Sequence, residues 1–385
     1  MSYREKENKD PSEKSFFEKR PVLAGVLILI LTFLILDFGL GKIFIPENYQ
    51  AFRIRDPWYH HGILPNQASI TNWGQKYYKF YSNSLGFRDD TIRKIMPESK
   101  KRRILFLGDS HTEAVGTSYE KSFTGILSKK LEKQGVEVLN AAAVSYSPKI
   151  HFLKAQHLIE NEKLKVDEIF VLIDMSDLNN EIAYENFQPE KDNGFKSFFR
   201  INFKNLSNHS LTTHLIYNAV KNIRNRFFMK NMAESDNANL ELYASFFSEF
   251  DDAELLNDPN FHHVSRWLED EKFKELANYS LKLGQENIGK LKSLCDRHSI
   301  GLSLSVHPWP EEILKADTSN IYTQSWKSFC NQQNIDFINL YPVFINHENP
   351  VLTAEHNYIP EDNHWNENGH QRVAGVLFRI LSSKE

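Results

Sequence analysis

Two cysteines in 385 residues, Cys295 and Cys330, set the first limits. There is no C-x-x-C pair, so neither a thiolate zinc module nor a disulfide framework is encoded. The two read as separate buried thiols, with a single disulfide as the alternative. A basic excess is also missing: 46 Lys and Arg stand against 50 Asp and Glu, a net charge of −4. With no aromatic-interleaved basic stripe either, a nucleic-acid partner is excluded. No internal repeat is visible, which removes solenoids and propellers. The pairs His60-His61 and His262-His263 lack the spacing of metal ligands, so no metal and no other cofactor is expected.

What the chain does have is an apolar run near its start. Val22 to Leu36 carries no charge, and the run resumes after Asp37 as Phe38-Gly39-Leu40-Gly41. Pro21–Gly41 as a helix is about 31 Å long, enough to cross a bilayer core. Arg4, Lys6, Lys9, Lys14, Lys19 and Arg20 precede it. By the positive-inside rule the N-terminus is then cytoplasmic and the bulk of the chain lies on the far side. A cleaved signal peptide is the competing reading, opposed by the length of the run and the lack of a small-x-small site after it. A buried core helix is the third. Asp37 sits near one end and can reach the interface.

Residues 1–20 read as a charged cytoplasmic tail and 21–41 as the signal anchor. Residues 42–100 form an extracytoplasmic lead-in with one plausible strand, Tyr77–Tyr81, and a turn, Asn83-Ser84-Leu85-Gly86-Phe87-Arg88-Asp89, that docks Phe87 on a core. From 101 to 385 strands and helices alternate. Strand-like segments are Ile104–Leu107, Val136–Leu139, Glu168–Ile173, Leu302–Val306 and Phe337–Tyr341. Helical ones are Ser122–Lys133, Lys149–Glu160, Asp270–Arg297, Thr323–Gln333 and Asn368–Leu381. Near-continuous apolar strands between helices predict an α/β fold, a mostly parallel sheet covered on both faces. An insertion rich in Asn, Phe and acidic residues interrupts the alternation at about 178–265 and reads as mixed helix and loop, either a lid or binding wall or a poorly ordered excursion.

The chemistry concentrates at two distant points. The strand Ile104–Leu107 stops at Gly108-Asp109-Ser110-His111-Thr112, which puts a serine at the C-terminal edge of a buried strand, where open α/β sheets bind ligands. About 250 residues later comes Pro360-Glu361-Asp362-Asn363-His364-Trp365-Asn366, just before the closing helix. A strand-end serine with a remote Asp-x-His supplies a nucleophile, a base and an orienting carboxylate. A helix N-cap is the plain alternative for Ser110. His111 is adjacent to the nucleophile and expected to point elsewhere. His307-Pro308-Trp309-Pro310 follows another strand, so Trp309, like Trp365, is a candidate sugar-stacking surface as well as a candidate core residue.

These blocks resemble the SGNH (GDSL-type) hydrolase superfamily over roughly residues 100 to 383, and the Asp-x-His-Trp form resembles the branch associated with O-acetylation of bacterial polysaccharides. The resemblance implies a flavodoxin-like three-layer sandwich and acyl-ester chemistry through acyl-Ser110, with Asp362 orienting His364 and Glu361 as the fallback. It also implies oxyanion donors at the Ser110 N–H, at Ala142 where the family has glycine, and at Ser176 where the family has asparagine. Asp174 and Asp177 have capping of the next segment as their alternative role. The expected activity is removal or transfer of acyl groups, acetyl first, on a cell-envelope or secreted glycan. The partners are then an acylated glycan or small ester, the bilayer at residues 21–41 and an exopolysaccharide machine. The expected place is the bacterial inner membrane, with the catalytic domain periplasmic. A carboxylester or lipid esterase, and a catalytically weak glycan-binding or assembly factor, are the other readings.

Overall fold

The computed structural model describes residues 15–45, 50–189, 206–228, 267–345 and 348–382, with 199, 202, 203 and 264. The middle of the expected insertion, including His262-His263, lies outside them. Two compact units emerge.

The first unit contains helix α1, Pro21–Phe44, which is long and apolar enough to cross a membrane. Its apolar side chains are mostly exposed, as expected of a helix with no protein partner along most of its length. Asp37 and Gly41 are the buried positions of this helix. Asp37 Oδ1 accepts the backbone N–H of Thr212 at 2.7 Å. Thr212 lies in the first turn of a second helix, Leu211–Phe228 (called α6 below), whose entry is capped by Ser210 Oγ accepting from Thr213 N at 3.1 Å. The apparent flaw in the apolar run is thus an anion placed at a helix N-terminus, where free N–H groups favour it.

The second unit is a three-layer α/β sandwich. Its parallel strands are β6 (Arg102–Leu107), β7 (Val136–Asn140), β8 (Glu168–Ile173), β9 (Gly301–Val306) and β10 (Asp336–Asn339), in spatial order β7-β6-β8-β9-β10. Numbered among themselves this is order 2-1-3-4-5, the flavodoxin-like winding, with its switch point between β6 and β8. The strands feed two cores because successive side chains leave opposite faces. Leu105, Leu107, Ile169, Val171 and Leu304 enter one core with α4 (Pro148–Gln156), α7 (Lys274–His298) and α9 (Ile321–Gln333). Ile104, Phe106, Phe170 and Leu172 enter the other with α3 (Phe123–Leu131) and α12 (Glu367–Ser382). The closing helix buries Val373, Ala374, Leu377 and Leu381, a single stripe at helical spacing. Cys295 and Cys330 are free and buried, and burial pushes each thiol up to about 12.

The lead-in is part of this sheet. Strands β3 (Ala68–Trp73), β4 (Lys76–Ser82) and β5 (Arg88–Asp89) continue it antiparallel beyond β7, joined by Arg88 opposite Asn140. Phe87 is fully buried, as the turn chemistry predicts, and Gly86 takes the positive φ of 70° that the turn needs. A hairpin of β1 (Arg53–Asp56) and β2 (His60–Ile63) fastens the loops at the ends of β6 and β7. Arg53 grips Glu113 through two hydrogen bonds of 2.7 and 2.6 Å. Glu113 in turn accepts the Val144 N–H at 2.9 Å, His61 Nε2 meets the Val144 carbonyl at 2.7 Å, and the Tyr146 hydroxyl donates to the His61 carbonyl at 2.7 Å. Arg88 donates to the carbonyls of Glu113, Ala114 and Thr117 at 3.1, 3.3 and 2.6 Å. Beneath this corner the buried amine of Lys154 donates to Tyr146 Oη at 2.9 Å. Burial lowers it to about 7, against the weaker pull of Asp56 and Glu113.

Two outcomes follow. Arg53→Met strands the Glu113 carboxylate in the interior and lowers stability by about 3–5 kcal/mol; urea unfolding reads it, and adding Glu113→Gln recovers part of the loss. Lys154→Met acts in the opposite sense. The folded amine releases its proton near 7 and the unfolded one near 10.5, so unfolding takes up a proton in that window and stability rises with pH across it. Removing the amine raises stability at pH 7 by about 1–4 kcal/mol and flattens that slope.

Candidate active site

The C-terminal ends of β6 and β8 flank the switch point, and the candidate groups gather there. After β6 the chain passes Gly108, where a Cβ would lie 2.1 Å from Thr112 Oγ1, so only glycine fits. Asp109 caps a single helical turn, α2 (Ser110–Glu113), by accepting the His111 N–H at 2.9 Å. Ser110 therefore begins a helix rather than capping it, and its hydroxyl is free to meet another partner.

That partner is His364 Nε2, at 2.7 Å from Ser110 Oγ. His364 rides on a turn closed by Ile359 N–H to the His364 carbonyl at 2.8 Å, with Glu361 in the left-handed region at φ 59°. Asp362 Oδ1 accepts both the backbone N–H of His364, at 2.8 Å, and its ring Nδ1–H. A carboxylate can only accept, so the proton sits on Nδ1 and the Nε2 lone pair faces the serine hydroxyl. Burial works to raise the Asp362 carboxyl, but the charge and hydrogen bonds of His364, then the Trp73 donor, hold it well below the usual carboxylate range. Glu361 is exposed and takes no part in this arrangement.

Trp73 was not legible as a site residue. It ends β3, donates its indole Nε1–H to Asp362 Oδ2 at 2.8 Å, and sets its ring edge-on to His364 at 4.9 Å. Nothing in the local sequence marks it: the signal is only that a lead-in strand crosses to the sheet edge beside a turn nearly 300 residues later.

Of the expected oxyanion donors, the Ala142 N–H is turned to Asn140 Oδ1 at 3.2 Å and the Ser176 hydroxyl to Asp174 Oδ1 at 2.6 Å. A serine has one hydroxyl proton, so Ser176 has none left to offer an oxyanion in this arrangement. Asp174 and Asp177 do order the following segment: Asp174 Oδ1 accepts the Ser176 N–H at 2.7 Å, and Asp177 Oδ2 the Asp174 N–H at 3.0 Å. Trp309 is half-buried and donates Nε1–H to Asp174 Oδ2 at 2.8 Å. Trp365 is fully buried, stacked on Phe344 at 5.5 Å and packed against His111 and His307. With no exposed face it has nothing to present to a sugar, which corrects the stacking expectation for this residue.

His111 points away from the serine hydroxyl. Its Nε2 meets the Asn363 carbonyl at 2.9 Å and its Nδ1 lies 3.2 Å from Asp174 Oδ2. Burial opposes a charge on this ring, but Asp109 and Asp174 outweigh it and push the imidazole up to about 10. His307, beside it, is driven down to about 3 by burial and by His111. Asp109, His111, Asp174 and His307 bring one ligand-type atom each to within 4.8 Å of one another, all buried.

No family model matches the sequence, and no curated protein does. Among solved structures the chain is similar to a putative lipolytic protein of the G-D-S-L family from Desulfitobacterium hafniense DCB-2, at 11% identity over 73% of this chain and 99% of that one, with a TM-score of 0.37. It is similar also to Axe2, an acetylxylan esterase from Geobacillus stearothermophilus, at 13% identity over 74% and 95% with a TM-score of 0.37. The third is the psychrotrophic esterase EstA from Pseudoalteromonas sp., at 10% over 74% and 98% with a TM-score of 0.38.

Trp73→Phe keeps the ring and deletes the donor to Asp362. A hydrogen bond to a charged group contributes about 1.5–3 kcal/mol. Reaction of Ser110 with a fluorophosphonate is therefore expected to slow by about 10- to 100-fold at unchanged fold, as read by circular dichroism.

Proposed function

We propose that this chain is a serine-dependent acyl-ester hydrolase or O-acyltransferase. The observation that carries the reading is the 2.7 Å contact between Ser110 Oγ and His364 Nε2, with Asp362 behind the ring. Ser110 Oγ attacks the acyl carbonyl carbon while His364 Nε2 takes the hydroxyl proton. Asp362 holds the tautomer and stabilises the imidazolium that forms. His364 then gives the proton to the departing oxygen, leaving acyl-Ser110. Water or a second hydroxyl attacks that ester, its proton passes to His364, and the carboxylic acid or new ester leaves as Ser110 recovers its proton. Backbone N–H groups at Ser110 and Ala142 are the oxyanion donors in this scheme, the second after its long bond to Asn140 is released.

The proposed acyl group is acetyl and the proposed substrate a cell-envelope or secreted polysaccharide. The resemblance of Asp362-Asn363-His364-Trp365 to the polysaccharide O-acetylation branch supports this, as does an apolar helix fit to anchor the domain. The proposed setting is a single pass in a bacterial inner membrane, N-terminus cytoplasmic, beside exopolysaccharide machinery. One observation favours a second reading, a weakly catalytic glycan-binding or assembly factor: the Ser176 hydroxyl is committed to Asp174.

A fluorophosphonate probe on the full chain, with Ser110→Ala and His364→Ala as controls, separates the two. Labelling of wild type alone, with acetyl-ester turnover lowered about 10³-fold or more in either variant, supports the enzyme. No labelling of the folded wild type sinks the enzyme reading and leaves the binding factor.

A further inference from the structure

The four groups beneath the nucleophile turn hold more unsatisfied polarity than a proton can settle. His307 is fully buried, and neither of its ring nitrogens makes a hydrogen bond of good geometry, the adjacent Pro308 carbonyl being the backbone acceptor within its reach. Asp109 Oδ2 has Ser176 Oγ as a donor only at 3.5 Å, and that hydroxyl is already given to Asp174 at 2.6 Å. His111 donates Nε2–H to the Asn363 carbonyl, so its Nδ1 presents either a proton or a lone pair to Asp174 Oδ2. An imidazolium there satisfies Asp174 and His111 but leaves His307 without a well-formed partner, which is rare for a buried polar group.

We propose that Asp109, His111, Asp174 and His307 form a structural site for one divalent first-row metal ion, zinc in the first instance. The ligand atoms are Asp109 Oδ2, His111 Nδ1, Asp174 Oδ2 and His307 Nε2. Known separations among them are 3.8 Å from His111 Nδ1 to Asp109 Oδ2, 3.2 Å from His111 Nδ1 to Asp174 Oδ2, and 3.8 Å from His307 Nε2 to Asp174 Oδ2. Ligands about 2.0–2.2 Å from a tetrahedral zinc lie roughly 3.3–3.6 Å apart, so small side-chain shifts close the set. Two carboxylates balance the charge of the ion. Two imidazoles select against magnesium and calcium.

The outer contacts have the form such sites need. The Asn363 carbonyl fixes the His111 ring, the Ser176 N–H and hydroxyl fix Asp174 Oδ1, and the Trp309 indole donates to Asp174 Oδ2 at 2.8 Å. All four positions belong to the protein, which makes the site closed and structural, with no position for water or substrate. Binding displaces the proton from His111 Nδ1 to solvent and forms four metal–ligand bonds. The ion then joins the Asp109–His111 turn to the ends of β8 and β9, and through Asn363 to the turn that carries His364.

The test uses the full chain purified in detergent without added metal. Elemental analysis is expected to find about one first-row divalent ion per chain. Chelation is expected to remove it with a fall in melting temperature that added zinc reverses, and cobalt in its place is expected to show the visible absorption of a tetrahedral site. His307→Ala is expected to lose the ion. Because a variant can fail to fold, the decisive arm is wild type. Substoichiometric metal, a melting temperature indifferent to chelator and zinc, and a His111 ring with both nitrogens protonated at pH 8 by nitrogen NMR would overturn the site in favour of a plain imidazolium.

Discussion

Everything in this molecule that bears on chemistry depends on holding Ser110 and His364 at hydrogen-bonding distance although 254 residues separate them. A hydroxyl and an imidazole brought together by two flexible loops would spend most of their time apart, because each ordered residue costs about 1–2 kcal/mol of backbone entropy. The chain avoids that by making both supports short and terminal. Ser110 follows a buried strand by only Gly108 and Asp109. His364 precedes the closing helix by two residues, and Asn366 caps that helix by accepting the Asn368 and Gly369 N–H groups at 2.9 and 3.2 Å. The two supports then meet over one core, since β6 sends Ile104 and Phe106 into the cluster that α12 fills with Val373, Ala374 and Leu377. The Ser110–His364 geometry is thereby a consequence of core packing, and a change deep in that core reaches the proton between the two side chains.

The same dependence explains what was legible from the sequence. The five parallel strands and their main helices are found within a few residues of where the apolar spacing puts them: Glu168–Ile173 matches end to end, and the closing helix runs Glu367–Ser382 for an expected Asn368–Leu381. These segments are buried on repeating faces, so their periodicity is written in consecutive residues. The expected meeting of Ser110, His364 and Asp362 is visible for a related reason, because each sits next to an element whose end the sequence marks. What escaped has no local signature. β5 has only two residues and β3 is exposed over its first half, and their membership of the sheet is decided by pairing with β4 and β7. Trp73 and Arg53 act across the fold on Asp362 and Glu113, and a tryptophan or arginine in a lead-in is locally no different from one packed against solvent.

The reading of histidines shows the same limit from the other side. His60-His61 and His262-His263 attract attention as adjacent pairs, yet adjacency is a poor guide to ligation. The buried cluster at the switch point draws on positions 109, 111, 174 and 307, one or two from each of three strand ends. A parallel sheet makes this natural: its strand C-termini come side by side whatever the length of chain between them, so polar residues just past β6, β8 and β9 converge without any spacing rule. The serine at 176, where the sequence resemblance implies an asparagine, belongs to this convergence. Ser176 is turned inward to Asp174, and so serves the buried cluster rather than the open side of Ser110.

That inward turn bears on the proposed acyl chemistry. Oxyanion donors stabilise a transition state only if they are aimed at it before charge develops. Here the loop after β7 is held on three sides: Val144 by Glu113 and His61, Tyr146 by the His61 carbonyl, and Ala142 by Asn140. The first of these leads to Arg53 and the second to β2, both in the lead-in. The lead-in thereby holds, at Val144 and Tyr146, the loop that carries Ala142, the second oxyanion donor of the proposed scheme, while the Ala142 bond to Asn140, at 3.2 Å, is the longest of the four. A site with two rather than three donors stabilises the tetrahedral intermediate less, and the acyl acceptor must supply more of the transition-state binding through its own contacts. In the proposed scheme that condition favours an acceptor with many hydroxyls held in place over water, which has no second point of attachment, and so favours the transferase form of the proposal.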